Sequence, residues 1–299
     1  MKNLSFTKKH VLFALMGVLL LSLPIACNEK GPVPKEVIGI WLNHITLLFE
    51  VGESQTLQAT VLPEDAVDKE VSWTNSNPSV ASFDTDNGTV TALSIGTTYI
   101  TATAGRMSAT CTVQVYSAKD GVVINDVIWA NRNVDAPGVF SANPEDAGMF
   151  YQWNRKAGWS AADPLINSNG GTVWDATNPG GDTWSAANDP CPDGWRVPTL
   201  DEITTLLVAN KVGNKWTTVN GINGCRFTDN ATGASIFMPA AGSRDSEDGV
   251  LILDGSGGYY WSSVQFSTRN THFLYFDSNG PVNDRYHRGS GFSVRCVAK

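Results

Sequence analysis

The chain has 299 residues, with 21 basic and 29 acidic side chains and a formal net charge of −8. An acidic chain without a basic stripe disfavours nucleic acid and anionic lipid as partners. Ten tryptophans and 28 glycines, with one convincing helical pattern, favour a mainly β protein rich in turns, and the length suits two domains.

The N-terminus has the zone order of a secretory signal. Three lysines form a basic start, an uncharged run covers residues 11–24, and Ala26 precedes Cys27. The uncharged run is shorter than the roughly 20 apolar residues of a membrane-spanning helix. The segment resembles a lipobox, with Pro24 where leucine is usual, and the resemblance implies removal of residues 1–26 and a lipid on Cys27. The alternative is an ordinary signal peptide with a chance cysteine.

Residues 27–36 are polar and contain two prolines, which is typical of a short, semi-rigid tether. At about 3.1 Å per residue the tether reaches no more than roughly 30 Å. A lipid on Cys27 would therefore hold the first folded domain close to the membrane. Loss of the signal peptide would remove lysines and no acidic residues, which makes the mature chain more acidic.

Short strand patterns alternate with turn signals over residues 37–117. Apolar and polar residues alternate over 55–62, an Asp-Asn-Gly turn signal occupies 86–88, and further strands are predicted over 98–104 and 109–115. This spacing predicts a β-sandwich. The stretches FEVGESQTLQATVLPEDA, VSWTNSNPSVASFD, GTVTALSIGTTYITATA and ATCTVQV resemble the bacterial immunoglobulin-like domain, group 2. The resemblance implies a spacer or adhesive module of surface proteins.

Two residues of this domain carry specific expectations. Trp73 is the candidate core anchor of the sandwich. Cys111 shares one strand face with Val113 and Val115, so we expect a buried free thiol.

Residues 118–299 carry eight of the ten tryptophans. Apolar strands are predicted at 122–124 and 127–129, and the segment 154–190, rich in Gly, Asn, Asp and Trp, is typical of irregular loops. Further apolar patterns predict strands at 236–238, 250–253, 259–261, 273–276 and 292–296.

One helix is predicted in this region. Thr199 and Glu202 form a capping box, in which each side chain accepts from the main-chain N–H of the other residue. The apolar face that follows consists of Leu200, Ile203, Leu206 and Leu207, and Asn210 and Gly213 end it.

The motifs VIWANRNV, FYQW, CPDGWRVPTLDEITTLL, IFMPAAGSRD, GYYWSS and GFSVRCVAK occur in order. They resemble the FISUMP family, whose fold belongs to the C-type lectin-like group, and the resemblance implies an α+β domain over 118–299. It also implies a disulfide between Cys191, before the helix, and Cys296, on the last strand. Cys225 is then left over, either buried and free or available for another pairing.

No metal site is predicted. The strand that carries calcium ligands in lectins of this fold corresponds to residues 261–263, which hold no carboxylate, and the acidic residues Asp245, Glu247 and Asp248 are typical of a solvated loop. The three histidines that follow the signal peptide, His44, His272 and His287, lack the spacing of metal ligands.

No catalytic residue or cofactor is predicted either. The tail GFSVRC resembles that of formylglycine-generating enzymes, but their close pair of reactive cysteines is missing between Cys225 and Cys296. A G-x-S-x-G elbow is also missing. We therefore do not expect an enzyme.

Candidate ligand-binding residues lie in segments that the sequence indicates are loops, where function concentrates. They are Trp159, Trp174 and Trp184 in the Gly/Asn/Asp-rich segment, and Arg244, Asp245, Asp284 and Arg285 further along. Exposed tryptophans would stack on a glycan or peptide. The alternative is that each tryptophan fills a loop-rich core with few other apolar residues.

The order of anchor, spacer and head predicts a non-catalytic cell-surface lipoprotein. We expect an Ig-like spacer that presents a lectin-like head for adhesion or for binding an extracellular glycan or protein. The membrane would be contacted through the lipid, and Asn28 after Cys27 favours the outer membrane of a Gram-negative bacterium. The alternatives are an accessory or tip subunit of a surface assembly such as a pilus and, third, an unrecognised enzyme.

Overall fold

The computed structural model describes residues 34–252 and 254–299. Strands dominate these two ranges, and their single α-helix has six residues, so the prediction of a mainly β protein is confirmed. No helix in the same ranges is long and apolar enough to cross a membrane. The signal peptide, Cys27 and the tether up to residue 33 lie outside the described residues, so the predictions made for them stay predictions.

The N-terminal region has an Ig-like arrangement of strands. In chain order they are β1 (Gly39–Leu42), β2 (Thr46–Glu50), β3 (Ser54–Thr56), β4 (Ala59–Leu62), β5 (Ser72–Asn75), β6 (Ala81–Asp84), β7 (Thr89–Ala92), β8 (Gly96–Ala104) and β9 (Met107–Tyr116). The sheet β2-β9-β8-β5, in which β2 and β9 are parallel, accompanies the sheet β3-β7-β6 and the pair β1-β4.

Apolar side chains from these strands form the core of the sandwich. The buried members include Leu47, Phe49, Leu57, Val80, Val90, Ile100, Cys111, Val113 and Val115. Cys111 is free and fully buried, which confirms that prediction. Trp73 is half-buried, packs against this core and lies 4.7 Å from Phe83 between ring centroids.

The single strand predicted over 55–62 is wrong, because the chain changes sheets there. β3 pairs with β7, whereas β4 pairs with β1. At the crossing, Leu57 N donates to Gly88 O (2.8 Å) and Gln58 N donates to Asn43 Oδ1 (2.7 Å). These bonds replace the ladder where the strand passes between layers.

The C-terminal region, the head, follows from Gly121. Its strands are β10 (Gly121–Ile124), β11 (Val127–Ala130), β12 (Met149–Gln152), β13 (Gly158–Ser160), β14 (Trp195–Arg196), β15 (Val212–Val219), β16 (Ile222–Asp229), β17 (Ser235–Pro239), β18 (Ser243–Arg244), β19 (Leu251–Ile252), β20 (Gly258–Gln265), β21 (Asn270–Asp277), β22 (Gly280–His287), β23 (Gly291–Phe292) and β24 (Val297–Ala298), and α1 is Leu200–Thr205. They form the sheets β10-β11-β24-β14, β13-β12-β23-β18-β19, β15-β16-β17 and β20-β21-β22.

Helix α1 begins as the sequence predicts. Thr199 Oγ1 accepts from Glu202 N (3.2 Å), and Glu202 Oε2 accepts from Thr199 N (2.7 Å). Arg196 donates to both carboxylate oxygens of Glu202. The predicted capping box is confirmed, and Ile203 and Leu206 are buried as expected. The predicted end of the helix is wrong, because α1 ends at Thr205 and Gly213 lies on β15.

The Ig-like region and the head pack against each other. Leu48 and Tyr116 contact the apolar core of the head, and Gly194 lies against Ile95. Thr97 Oγ1 donates to the main-chain oxygen of Lys299. The joint between the two regions therefore contains apolar and polar contacts in addition to the connecting chain.

Candidate functional site

Trp159 and Trp174 are buried rather than exposed. Their exposed fractions are 3% and 9%, and their ring centroids are 5.0 Å apart. Trp174 also donates to Ser246 O (3.2 Å) and packs on Gly249 and Gly291. The expectation of exposed stacking platforms is therefore wrong for this pair, and the core-filling alternative is what the structure shows.

Arg244 belongs to the same buried cluster. Its exposed fraction is 1%, and its position is on β18 rather than in a loop. The guanidinium donates to the main-chain oxygens of Ser160 (2.8 Å), Ala162 (2.9 Å) and Gly249 (2.7 Å). Its side chain therefore holds two loops together and is not available to a ligand.

Trp184 is also buried, at 7% exposed, in a second cluster. Its ring lies 6.1 Å from that of Trp153, over which the guanidinium of Arg288 stacks at 4.3 Å. Arg288 is 2% exposed and donates to Gly181 O (2.8 Å) and Gln265 Oε1 (2.5 Å). This arginine fixes the loop that contains Trp184.

Asp284 and Arg285 lie on β22, an exposed edge strand, and not in a loop as expected. His287 ends the same strand. Arg285 stacks on the ring of Phe266, and Phe266 contacts His272. Burial, together with the charge of Arg285, lowers the pKa of His272. Of the predicted ligand-binding residues, only these two on β22 and the half-buried Asp245 reach the surface.

A groove of about 490 Å³ opens on the head at a place that the sequence did not indicate. Its walls are residues 145–148, the tip 221–223 of the β15–β16 hairpin, and the segments 239–241 and 254–255. Asn220 Nδ2 donates to Glu145 Oε1 (2.5 Å). Asn223 Nδ2 donates to Gly255 O (3.1 Å). Side chains of the hairpin therefore bond to two of the opposing walls.

A buried polar network lies directly behind these walls. Asn133 Nδ2 donates to Ala147 O (2.9 Å), and Tyr260 OH donates to Pro239 O (2.9 Å). Arg295 Nε donates to Asn133 Oδ1 (2.9 Å). Burial lowers the pKa of Arg295 to about 10, so the guanidinium stays charged at neutral pH. Because Asn133, Tyr260 and Arg295 are at most 2% exposed, the network fixes both walls before any ligand arrives.

The groove lining offers mainly hydrogen-bond acceptors beside small apolar surfaces. Glu145, Asp146 and Asp254 supply carboxylates, and Ile222 supplies an exposed apolar side chain. Such a lining suits a ligand rich in hydroxyl or amine donors.

The acidic residues near β18 do not form a comparable site. Asp245 Oδ1 accepts from Glu247 N (2.8 Å), and Asp248 Oδ1 accepts from Val250 N (3.0 Å). These carboxylates stabilise their own turn. Within the ranges 34–252 and 254–299, no group of three or more His, Cys, Asp or Glu residues is arranged to hold a metal ion.

The structure joins Cys191 and Cys296 in a disulfide with a Cα–Cα distance of 6.1 Å, as the resemblance implied. Cys296 lies just before β24 and not on a strand, because the predicted strand 292–296 is interrupted after Phe292. Cys225 is buried and free, which decides between the two alternatives left open for it. Burial raises the pKa of both Cys111 and Cys225 to about 11. Their thiols are therefore protonated at neutral pH, and neither is an activated nucleophile.

Two family models match separate parts of the chain. The sequence over residues 42–115 matches the bacterial Ig-like domain, group 2. Residues 42–115 form a bacterial Ig-like domain. Residues 202–297 match a domain of unknown function, DUF8237, which covers most of the head and leaves its activity open.

Similar proteins share only a segment with this chain. An uncharacterized protein of Clostridium acetobutylicum is 43% identical over 68 residues, 22% of this chain and 17% of that protein. An alpha-L-arabinofuranosidase of Bifidobacterium longum is 48% identical over 83 residues, 28% and 7% of the two chains. An Ig-like virion protein of Serratia phage KSP90 is 36% identical over 81 residues, which are 26% of this chain and 31% of that protein. The chain thus spans less than a third of the length of each of these relatives.

Solved structures of the S-layer protein SbsC are also similar in part. Its domains 4 and 5 are 18% identical, with 27% of this chain and 53% of that chain covered and a TM-score of 0.25. Its domains 4–9 are 14% identical, with 86% of this chain and 31% of that chain covered and the same TM-score. A TM-score this low supports no inference about fold or function.

Proposed function

We propose that this chain is an exported, lipid-anchored surface protein whose Ig-like domain carries a ligand-binding head. The groove at residues 145–148, 221–223, 239–241 and 254–255 is the observation that carries the proposal, because its walls are fixed by buried side chains. A preformed groove loses little conformational entropy on binding. The ligand is a glycan or protein segment rich in hydroxyl or amine groups, which would donate hydrogen bonds to the carboxylates of the groove.

The segments shared with the relatives support the spacer role of the Ig-like domain. The segment shared with the arabinofuranosidase covers 83 residues and 7% of that enzyme, a length close to that of the Ig-like domain. An Ig-like virion protein shares a segment of similar length. A segment that occurs beside different functions is expected of a spacer module.

A blocked groove tests the ligand-binding role. Ile222 is 43% exposed at the rim, so Ile222→Arg places a long side chain over the groove without disturbing the core. We expect the full chain, screened on glycan and matrix-protein arrays, to bind at least one class, and Ile222→Arg to remove that binding. Ile166→Arg, at a similarly exposed isoleucine (40%) outside the groove, is the matched control. No binding by the unmodified chain contradicts the proposal, and so does a result in which Ile222→Arg loses no class of ligand that Ile166→Arg still binds.

Protease treatment of intact cells tests the location. A surface protein is cleaved from outside, whereas a periplasmic protein is protected and cannot be an adhesin. The lipid anchor is tested separately with Cys27→Ala, which we expect to release the protein from the membrane fraction. A variant that remains membrane-bound contradicts the anchor.

A subunit of a surface assembly is the second candidate function. Large apolar side chains are exposed on the Ig-like domain and just before it, namely Ile38 (72%), Trp41 (65%) and Leu62 (39%). Trp41 and Leu62 lie on one face of the β1–β4 pair. Such a patch favours contact with another protein. Co-purification of a defined partner that is lost with Trp41→Ser would support this candidate over ligand capture.

A further inference from the structure

The head carries a basic patch formed by Phe266, His272, Arg285 and His287, and the exposed Arg269 lies in the adjoining turn. His272 lies opposite Arg285 in the β21–β22 ladder, and His287 lies opposite Asn270. Because side chains alternate along strands, His272, Arg285 and His287 share one sheet face. Phe266 and Arg269 belong to the neighbouring turn between β20 and β21.

Phe266 and Arg285 form the centre of the basic patch. The guanidinium carbon of Arg285 lies 4.3 Å from the ring centroid of Phe266, and the ring of His272 meets Phe266 edge-on at 5.4 Å. Phe266 keeps 48% of its surface exposed. Stacking orders the guanidinium while its N–H groups, which point outward in the plane, stay available for hydrogen bonds.

The positive charge of the basic patch is not neutralised by neighbouring acids. Within residues 34–252 and 254–299, neither Arg269 nor Arg285 forms an ion pair. Asp284 alternates to the other sheet face, and its carboxylate accepts from the main-chain N–H of Arg285. Asp182 accepts from Gln265 Nε2 (3.0 Å). The patch is therefore locally positive although the chain as a whole has a net charge of −8.

The turn that contains Phe266 is held from the inside. The buried guanidinium of Arg288 donates to Gln265 Oε1 (2.5 Å) and to Ser267 O. Asn178 Nδ2 donates to Thr268 O (2.6 Å). The turn is therefore in place before a ligand arrives, which lowers the entropic cost of binding.

We propose that the basic patch binds an anionic saccharide, through a carboxylate or sulfate group on Arg285 and a sugar face on Phe266. A guanidinium fork matches a carboxylate or sulfate with two parallel hydrogen bonds. The exposed ring offers an apolar face for sugar C–H groups, and the two imidazoles add donors for hydroxyls. The net charge of −8 opposes a long, uniformly charged polymer, so a saccharide with charges spaced by neutral hydroxyls fits better than nucleic acid. This surface is separate from the groove and extends the proposed function.

Calorimetry with the full chain tests this assignment. The probe is a galacturonic acid hexamer, and its fully methyl-esterified form is the neutral control. We expect saturable binding of the acid form, at least tenfold tighter than that of the ester, and weaker binding as salt rises. Arg285→Gln and Phe266→Ala each reduce affinity at least tenfold, whereas Arg106→Gln, at an exposed arginine of the Ig-like domain, has no effect.

Calorimetry with further ligands identifies the anionic group that the patch prefers. A sulfated hexasaccharide that binds tighter than the galacturonate, with the same dependence on Arg285, supports the proposal and assigns sulfate as the preferred group. Equal binding of the methyl ester, an unaffected Arg285→Gln, or equal binding of a single-stranded oligonucleotide overturns it, as does no binding of either acidic saccharide. Ile222→Arg leaves this binding unchanged, so the groove and the basic patch fail independently.

Discussion

The Ig-like domain and the head bury different kinds of side chain. Up to Tyr116, Thr98 is the one buried polar residue among those the structure describes, whereas the described part of the head buries twelve, including three arginines. The Ig-like core is formed by alternating apolar residues of paired strands. The head has long loops, and their backbone groups need partners that a ladder does not provide.

The three buried arginines supply those partners. Arg244, Arg288 and Arg295 each donate to main-chain oxygens of segments distant in sequence. Hydrogen bonds from a charged donor contribute more than neutral ones. The head thus depends on a few long polar side chains, and the Ig-like domain on many small apolar contacts.

Removal of the disulfide should have the largest effect on this contrast. Cys191 and Cys296 are separated by 105 residues, so Cys191→Ala with Cys296→Ala should lower the free energy of unfolding of the head by about 4 kcal/mol. Amide hydrogen exchange resolved by mass spectrometry should show lost protection from residue 121 onward and little change before it. The unmodified chain should lose the same protection on reduction, and the double variant should not respond to reductant. Unchanged protection of the head contradicts the prediction.

Replacement of a buried arginine should cause the second-largest loss of stability. Arg295→Met removes the donor to Asn133, Ala130 and Phe237, and we expect a loss of about 3 kcal/mol in the head because these acceptors stay buried without it. Urea unfolding monitored by tryptophan fluorescence reports the head, which contains eight of the ten tryptophans. Arg106→Met, in an exposed turn of the Ig-like domain, should stay within about 0.5 kcal/mol of the original. An equally small effect for Arg295→Met would remove the contrast between the two cores.

A single methyl group tests the apolar core. Ile100 is fully buried, and Ile100→Val should cost about 1 kcal/mol of Ig-like domain stability through the lost burial and the cavity left. Exchange protection should fall in the Ig-like strands only. Ile38→Val, at a residue 72% exposed, is the control without expected effect. Equal loss of protection in the head would show instead that the joint couples the two regions into one cooperative unit.

The smallest effect is expected at the start of α1 and depends on pH. Burial favours the neutral form of Glu202, but the hydrogen bonds from Arg196 and Thr199 outweigh it and hold the pKa of Glu202 below its ordinary value of 4.5. The carboxylate therefore stabilises the head fully above about pH 4.5, and less as pH falls through the lowered pKa.

Gln keeps a carbonyl acceptor for Thr199 N but loses the charged acceptor of Arg196, so Glu202→Gln should cost about 1 kcal/mol at pH 7 and less below pH 4. Urea unfolding at both pH values measures this. Asp201→Asn, at an exposed carboxylate in the same turn, should change stability by a few tenths of a kcal/mol. A loss for Glu202→Gln that is equal at both pH values contradicts the prediction.

Features with a local cause could be predicted from the sequence. Alternation gave the buried position of Cys111, and the spacing of Thr199 and Glu202 gave the start of α1. The disulfide came from a family resemblance, because spacing alone cannot choose a pairing. β22 was missed because its sequence, GPVNDRYH, is polar, as an edge strand with little burial can be.

Features with a non-local cause could not be predicted. Arginine usually lies at the surface, so nothing in the sequence around Arg244, Arg288 or Arg295 indicates burial. The groove combines four segments that are far apart in the chain. One signal was available: Asn220-Gly221, both at positive φ, is a typical hairpin turn and places the tip that forms one wall.

The acceptors of the buried arginines have one more consequence. A main-chain oxygen is present at every residue, whichever side chain that residue carries. Arg244 and Arg288 bind loops mostly through such oxygens, so these anchors place few demands on loop sequence. Loop side chains can therefore be substituted while the arginines hold the loop backbones in the same positions. The head is in this respect a scaffold on which recognition can diversify without redesign of the fold.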